Sequence, residues 1–405
     1  MALLLLASES SAFDFSNRFV SRLTKLSGRL DVKLVAPFQT SISSVAPIDL
    51  PSIVGKLPTT PTIAWRDQCK VLVDAIDAVP DLSAIFVFDE RSLRILTATR
   101  VPTAPIIWMG SLAVKNLSLY TQAALRLSKA IFLDGTTTAD ELKECCGWQK
   151  SDPRTLPTIC QIPDTDDAWC EMVVTLLQAP APFLPAQIEH DLREKRLPFL
   201  GGGSRRVCHL LGDSSLCVKF YWQLQDLKPT AHHTVRREIE RYAHHRKRNT
   251  SCQEFDYFQS ILLKKPVTIS TIFPEIVDVV YLPSYGWGLI ETFIANADGS
   301  PAIHFPEYLQ KHQTDASVYN ALVQKLNALC ELFCNYAIHF YDFQNVLVVL
   351  DAEGKTDLKI ADFEPQERQL IPLERFFSCL LRKKIYRRYR RTFVTSNLPF
   401  GIESH

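Results

Sequence analysis

LGGGSRRVCHLLGDSSLCVKF, residues 200–220, sets Gly201, Gly202, Gly203 and Ser204 ahead of an apolar run, a turn at Gly212 and Asp213, and a second apolar run carrying Lys219. Two apolar runs of strand length joined by a Gly-Asp turn predict a β-hairpin. Amides of a glycine-rich turn reach a nucleotide's phosphates with no side chain in the way, and a lysine on the following strand reaches the same phosphates. Gly201, Gly202, Gly203, Ser204 and Lys219 are therefore candidate nucleotide-binding residues. A flexible turn followed by a solvated lysine has the same spelling, so the neighbouring sequence has to decide.

On the C-terminal side, residues 233–248 (HTVRREIERYAHHRKR) are rich in helix formers. Glu238 lies about twenty residues after Lys219, the place of the helix glutamate that pairs with the strand lysine in a protein-kinase-like fold. Tyr281 to Phe293 contains WGLIETF, a strand-like run in which Glu291 marks the link between two lobes, where backbone groups would take an adenine edge. Val323 to Phe340 has Leu326, Leu329, Cys330, Phe333 and Ala337 along one helical side and leads into HFYDFQNVLVVLD. There Asp342 and Asn345 precede an apolar strand, and LKIADFE places Asp362 seventeen residues beyond Asn345. A loop carboxylate, a loop asparagine and a strand-end carboxylate form the oxygen-rich set expected for Mg2+ and a phosphoryl acceptor. Asn345 and Asp362 are the expected metal ligands, and Asp342 the group that orients the acceptor hydroxyl or takes its proton.

These features, with VRREIERYAHH, QNVLV and the tail DFEPQERQLIPLERFFSCLLRKKIYRRYRRTF, resemble the bacterial YrbL family over residues 197–393. The resemblance implies a protein-kinase-like fold related to the lipopolysaccharide-sugar kinases, with ATP and Mg2+ as cofactors. The chain departs from typical protein kinases in three places. Asp342 and Asn345 are three apart, and Phe340 holds the five-residue position; Glu364 stands where a glycine would follow Asp-Phe; only 43 residues follow Asp362. So short a tail leaves no room for a peptide platform, which favours a small molecule or glycan hydroxyl over a protein substrate. The Asp342 spacing keeps a pseudokinase adaptor as an alternative.

The first half alternates short apolar runs with longer amphipathic ones, the pattern of a Rossmann-like α/β domain around a parallel sheet. Leu3 to Leu6, Asp31 to Pro37, Ala84 to Phe88, Ile106 to Met109 and Ala130 to Leu133 are predicted strands. Phe15 to Leu26 and a stripe of Val71, Leu72, Ala75 and Ile76 are predicted helices. Candidate ligand positions follow the strands at Ser8 to Ser11, Asp89, Gly110 and Asp134 to Thr138. The first strand is followed by ASESSAFDF, with no glycine fingerprint for a dinucleotide. SKAIFLDGTTTADELKECCGW and PTICQIPDTDD give residues 1–175 a pattern similar to the N-terminal half of a GT-B glycosyltransferase. That similarity implies a substrate-recognition domain, or, as a further alternative, a glycosyltransferase with an atypical second domain.

The expected division is 1–178 for the Rossmann-like domain, 179–197 for a proline-rich linker with a short helix, 198–295 for an α+β kinase-like N-lobe and 296–405 for a short C-lobe. The 405 residues hold 45 basic and 44 acidic side chains, for a formal charge of +1, so nucleic acid is not an expected partner of the whole chain. Arg382 to Arg391 concentrates seven basic residues in ten, with Tyr386 and Tyr389 between them. It reads as a solvated face whose tyrosines dock, or as a contact to an anionic membrane surface. Eleven cysteines without ligand spacing suit reduced thiols, and His232, His233, His244 and His245 read as surface histidines. A cytoplasmic protein, peripheral to the inner membrane at most, is the resulting expectation.

Overall fold

The structure is a computed structural model that describes residues 2–6, 17–30, 33–36, 45–47, 50, 63–110, 112, 117–151, 153–179, 184–212, 215–227, 233–336, 338, 343–362, 383 and 385–387. The first half is a seven-stranded sheet of β1 (Ala2–Leu6), β2 (Lys33–Ala36), β3 (Val45–Pro47), β4 (Leu82–Val87), β5 (Ile106–Trp108), β6 (Ala130–Leu133) and β7 (Thr158–Gln161). Every pairing in it is parallel, and the order is β3-β2-β1-β4-β5-β6-β7. The order reverses between β1 and β4, as in doubly wound folds.

Side chains alternate across a strand, so each strand feeds two cores. Leu4, Leu6, Ile85, Val87, Trp108, Ile131 and Leu133 meet α2 (Ile63–Asp77), α3 (Glu90–Leu96), α4 (Leu119–Arg126) and α5 (Ala139–Cys145) on one face. Leu3, Leu5, Phe86, Ile107 and Phe132 meet α1 (Asn17–Leu30) and α6 (Asp166–Gln178) on the other. Strands buried on both faces read as unbroken apolar runs, which is why β1, β4, β5 and β6 were visible in the sequence. In α2 the buried positions are Cys69, Leu72, Val73 and Ile76, while Val71 points outward. Within the proline-rich stretch, α7 (Pro185–Arg193) buries Ile188, Glu189 and Leu192.

The later chain has two smaller sheets. β8 (Phe199–Gly202), β9 (Arg206–Leu210), β10 (Leu216–Tyr221), β11 (Ile276–Leu282) and β12 (Gly286–Thr292) are ordered β11-β12-β10-β9-β8, antiparallel where β8 pairs with β9 and β10 with β12. The two apolar runs of residues 200–220 thus form the neighbouring strands β9 and β10, with Gly201 and Gly202 in a further strand, while Asp213 of the expected turn lies outside the described residues. α8 (His233–Tyr242), α9 (Thr250–Ser260) and α10 (Val267–Ser270) separate β10 from β11. β13 (Ile303–His304) precedes α11 (Phe305–Lys311) and α12 (Ala316–Asn335), and joins β14 (Val346–Leu350) and β15 (Thr356–Ile360), which follow them, in a three-stranded antiparallel sheet. Val346, Val348, Leu358 and Ile360 point from it into a core with Leu322, Leu326, Leu329 and Phe333 of α12.

The chain divides into two compact units, one of Met1–Gly212, Phe220–His244 and Val280–Gly288, the other of Asp213–Lys219, His245–Val279 and Leu289–His405. No helix among the described residues is long and apolar enough to cross a membrane.

Candidate functional site

The candidate site is built by β10, β12 and the end of the β14–β15 hairpin. In the antiparallel pair, Lys219 lies opposite Leu289 and Cys217 opposite Glu291. Lys219 and Glu291 therefore occupy one face of the sheet, two positions apart on the diagonal, which long side chains span. Lys219 Nζ stands 2.5 Å from Glu291 Oε1, with 12% and 4% of the two side chains exposed. The ammonium also donates to the carbonyl of Ala361, 142 residues on.

That carbonyl belongs to the residue before Asp362. The Ala361 N–H donates to the Asn345 carbonyl at 2.9 Å, and Asn345 Nδ2 donates to the Asp362 carbonyl at 3.3 Å. Lys219, Asn345 and Asp362 thus meet at one peptide segment. With the amide nitrogen of Asn345 committed to a carbonyl, its amide oxygen is the atom it can offer a cation. That oxygen and the half-buried Asp362 carboxylate are hard donors of the kind Mg2+ takes. The expected base, Asp342, lies outside the described residues, as does Glu364.

The spacing nominates Glu238 as a partner of the lysine; Glu238 makes an ion pair with Arg205 of the β8–β9 turn, at 3.2 Å. A carboxylate on Lys219 is that of Glu291, because strand register sets the two side chains on one face. The period of two that puts Leu289 and Glu291 on one face of β12 was the available signal.

The glycine run divides into two parts. Gly201 and Gly202 are in β8, opposite Cys208 and Val207, while Gly203, Ser204 and Arg205 make the turn. The Gly203 N–H donates to the Arg206 carbonyl at 2.9 Å, and Trp222 Nε1 donates to the Gly203 carbonyl at 2.9 Å. A Cβ on Gly202 would lie 2.6 Å from the Trp222 ring, whereas Gly201 and Gly203 have open space around that position. Beyond β12, Thr292, Phe293, Ile294 and Ala295 line a cavity of about 240 Å³ with Thr271, Phe273, Pro274, Val349 and Lys359.

A family model described as PhoP regulatory network protein YrbL matches residues 191–396, a span that contains all of these residues. The chain belongs to the YrbL family. No curated protein matches the chain.

The strand-end candidates of the parallel sheet, outside the span matched by the YrbL family, have local roles. Asp89 caps α3 through Ser92 N and Oγ, Asp134 closes a turn onto Thr136, and Thr138 forms a capping box with Glu141. The Gly110 carbonyl accepts from Trp108 Nε1 at 2.8 Å, and Ser8 to Ser11 lie outside the described residues. Of the histidines, His244 Nδ1 lies 3.1 Å from the Tyr281 hydroxyl, and His232 is outside the described residues. In the basic tail of this YrbL-family chain, Ile385 is fully buried, Tyr386 donates to Glu331 Oε1 at 2.8 Å, and Lys383 and Arg387 are exposed. The rest of Arg382 to Arg391 lies outside the described residues.

Proposed function

We propose that this YrbL-family protein is an ATP- and Mg2+-dependent phosphotransferase of kinase-like fold, acting on a hydroxyl of a small molecule or envelope glycan. The observation that carries this reading is the convergence of Lys219, Asn345 and the main chain of Ala361 and Asp362. A lysine, an amide oxygen and a carboxylate held together suit a phosphate chain and its counter-ion. Bound Mg2+ would neutralise phosphate charge as the phosphoryl group moves. Asn345 and Asp362 would hold it, Lys219 would orient phosphate oxygens, and Gly201 to Ser204 would close over them with backbone amides. Asp342 would orient the acceptor hydroxyl. The parallel-sheet domain is proposed to recognise the acceptor, and Arg382 to Arg391 to bring the protein to an anionic membrane surface.

A thermal-shift panel of ATP, GTP and sugar nucleotides, each with and without Mg2+, tests the proposal, because a ligand bound to the native state raises the melting temperature. The expected result is stabilisation by ATP that depends on Mg2+. Stabilisation by a sugar nucleotide alone, or by no nucleotide, counts against it.

A second reading, a pseudokinase adaptor, is favoured by the three-residue spacing of Asp342 and Asn345 and by the carboxylate and carbonyl already on Lys219. It predicts that Asp362→Ala leaves the cellular role of the protein intact, where the enzyme reading predicts its loss.

A further inference from the structure

A carboxylate on Lys219 comes from the neighbouring strand. We infer that Glu291 is the positioning residue for Lys219: it keeps the ammonium charged and aimed toward the Ala361–Asp362 segment, the task that sequence spacing assigns to Glu238. This inference rests on the phosphotransferase reading of the site and names the residue on which its lysine depends.

Three observations carry it. The ion pair is short and nearly closed to solvent, at 2.5 Å with 12% and 4% side-chain exposure. A lysine buried without a partner tends to shed its proton, and a carboxylate in contact opposes that loss. The pair is also fixed by a ladder, since Lys219 faces Leu289 and Glu291 faces Cys217 in one antiparallel register. A partner held by strand pairing stays in place without any movement of a helix. Finally, the same ammonium donates to Ala361, whose N–H is held by Asn345. Glu291 therefore acts on the phosphate-binding and cation-binding groups through one shared atom, Nζ of Lys219. Glu238, in contrast, is engaged by Arg205.

The test is calorimetric titration of the full-length protein with MgATP, comparing wild type, Glu291→Gln, Glu238→Gln, Lys219→Met and the double variant Lys219→Met/Glu291→Gln. The expected result is a loss of affinity of at least about tenfold in Glu291→Gln and less than about twofold in Glu238→Gln. The double variant should bind as Lys219→Met does, since residues acting through one atom are not additive. Affinity of Glu291→Gln should also fall between about pH 7 and about pH 9, where wild type stays level, because Lys219 loses the partner that holds its proton. A purely structural role would lower stability and leave that pH profile flat. Circular dichroism melts identify any variant that fails to fold, in which case Glu291→Asp, which keeps the charge on a shorter arm, is expected to retain the level wild-type pH profile at reduced affinity. Wild-type protein that takes no MgATP overturns the phosphotransferase reading and this inference together. Wild-type binding with unchanged Glu291→Gln, with loss in Glu238→Gln instead, or with a falling pH profile in Glu291→Asp overturns this inference alone.

Discussion

The Ser284 hydroxyl donates to Glu189 Oε1 at 2.9 Å, joining α7 to the β11–β12 turn across 95 residues of chain. Glu189 is fully buried, and its carboxylate also accepts from the N–H groups of Val101 at 3.1 Å and Ser284 at 3.3 Å. One side chain therefore ties the loop after α3, the helix in the proline-rich stretch and a turn of the later sheet. The turn itself is fixed by Gly286, at φ +85, where a Cβ would meet the Ala243 carbonyl oxygen at 2.2 Å.

Burial pushes the Glu189 carboxyl up from 4.5 to about 7, against the opposing pull of its hydrogen bonds and of Arg193. Tyr281 and Tyr285, which also feel this charge, are pushed up to about 12 by burial and stay neutral near pH 7. Between 4.5 and about 7 the native state binds more protons than the unfolded chain, so this group's contribution is greatest below 4.5 and declines as pH rises to about 7. A rise of that size corresponds to about 3 kcal/mol. Urea unfolding of wild type and Glu189→Gln at a series of pH values checks it. The stability difference between the two should move by that order in favour of Glu189→Gln as pH rises, and a constant difference rejects the assignment.

Gly202 and its neighbours separate a packing role from a ligand role. Gly202→Ala drives a methyl into the Trp222 ring and should cost about 1–3 kcal/mol of stability. Gly201→Ala and Gly203→Ala meet nothing within 4 Å and should change stability by less than about 0.5 kcal/mol. If backbone amides of this turn close over phosphates, the last two variants lose MgATP affinity at unchanged melting temperature. Unchanged affinity assigns the glycines to packing alone.

The parts of the fold that were legible are those where local pattern and tertiary role agree. β1, β4, β5 and β6 are continuous apolar runs because both faces of the parallel sheet are covered. β3 went unseen, being three residues, Val45–Pro47, at the sheet edge with a proline inside. α12 begins at Ala316 and ends at Asn335, where periodicity pointed to Val323 and Phe340, because Asp315 caps it through Ser317 and Val318. The pairing of Lys219 with Glu291 was illegible for a different reason: it depends on how β10 registers against β12. Glu189 was hidden by the prolines around it, since a stretch that looks like a spacer buries one face of a short helix.

Asp362 separates the enzymatic reading from the adaptor reading. Its side chain is half-buried, and its carbonyl, not its carboxylate, receives the Asn345 hydrogen bond. Asp362→Ala keeps the carbonyl that accepts from Asn345, and a thermal melt checks that the variant folds. Loss of a charge that stabilises the transferring phosphoryl group should lower ATP turnover on the order of a thousandfold. Turnover measured with purified variant and wild type decides the point, and equal rates remove Asp362 from the chemistry.

Ile385 tests what the basic tail is for. It is fully buried in the core that holds Leu326, Leu329 and Phe333, and Tyr386 beside it donates to Glu331, while Lys383 and Arg387 face solvent. Ile385 and Tyr386 thus anchor this part of the tail, and the described basic side chains, Lys383 and Arg387, face outward. Ile385→Ala should cost about 2–5 kcal/mol, the usual range for emptying a buried aliphatic site. Tyr386→Phe loses one hydrogen bond and should cost about 1 kcal/mol. Lys383→Glu with Arg387→Glu, by contrast, should leave stability within about 0.5 kcal/mol, because neither side chain is buried. Sedimentation with vesicles of anionic lipid then isolates the charge: the double Glu variant should lose vesicle binding if the exposed basic face meets a membrane. Equal binding of wild type and this variant to anionic and neutral vesicles leaves the segment a structural clamp on α12, its basic residues serving solvation.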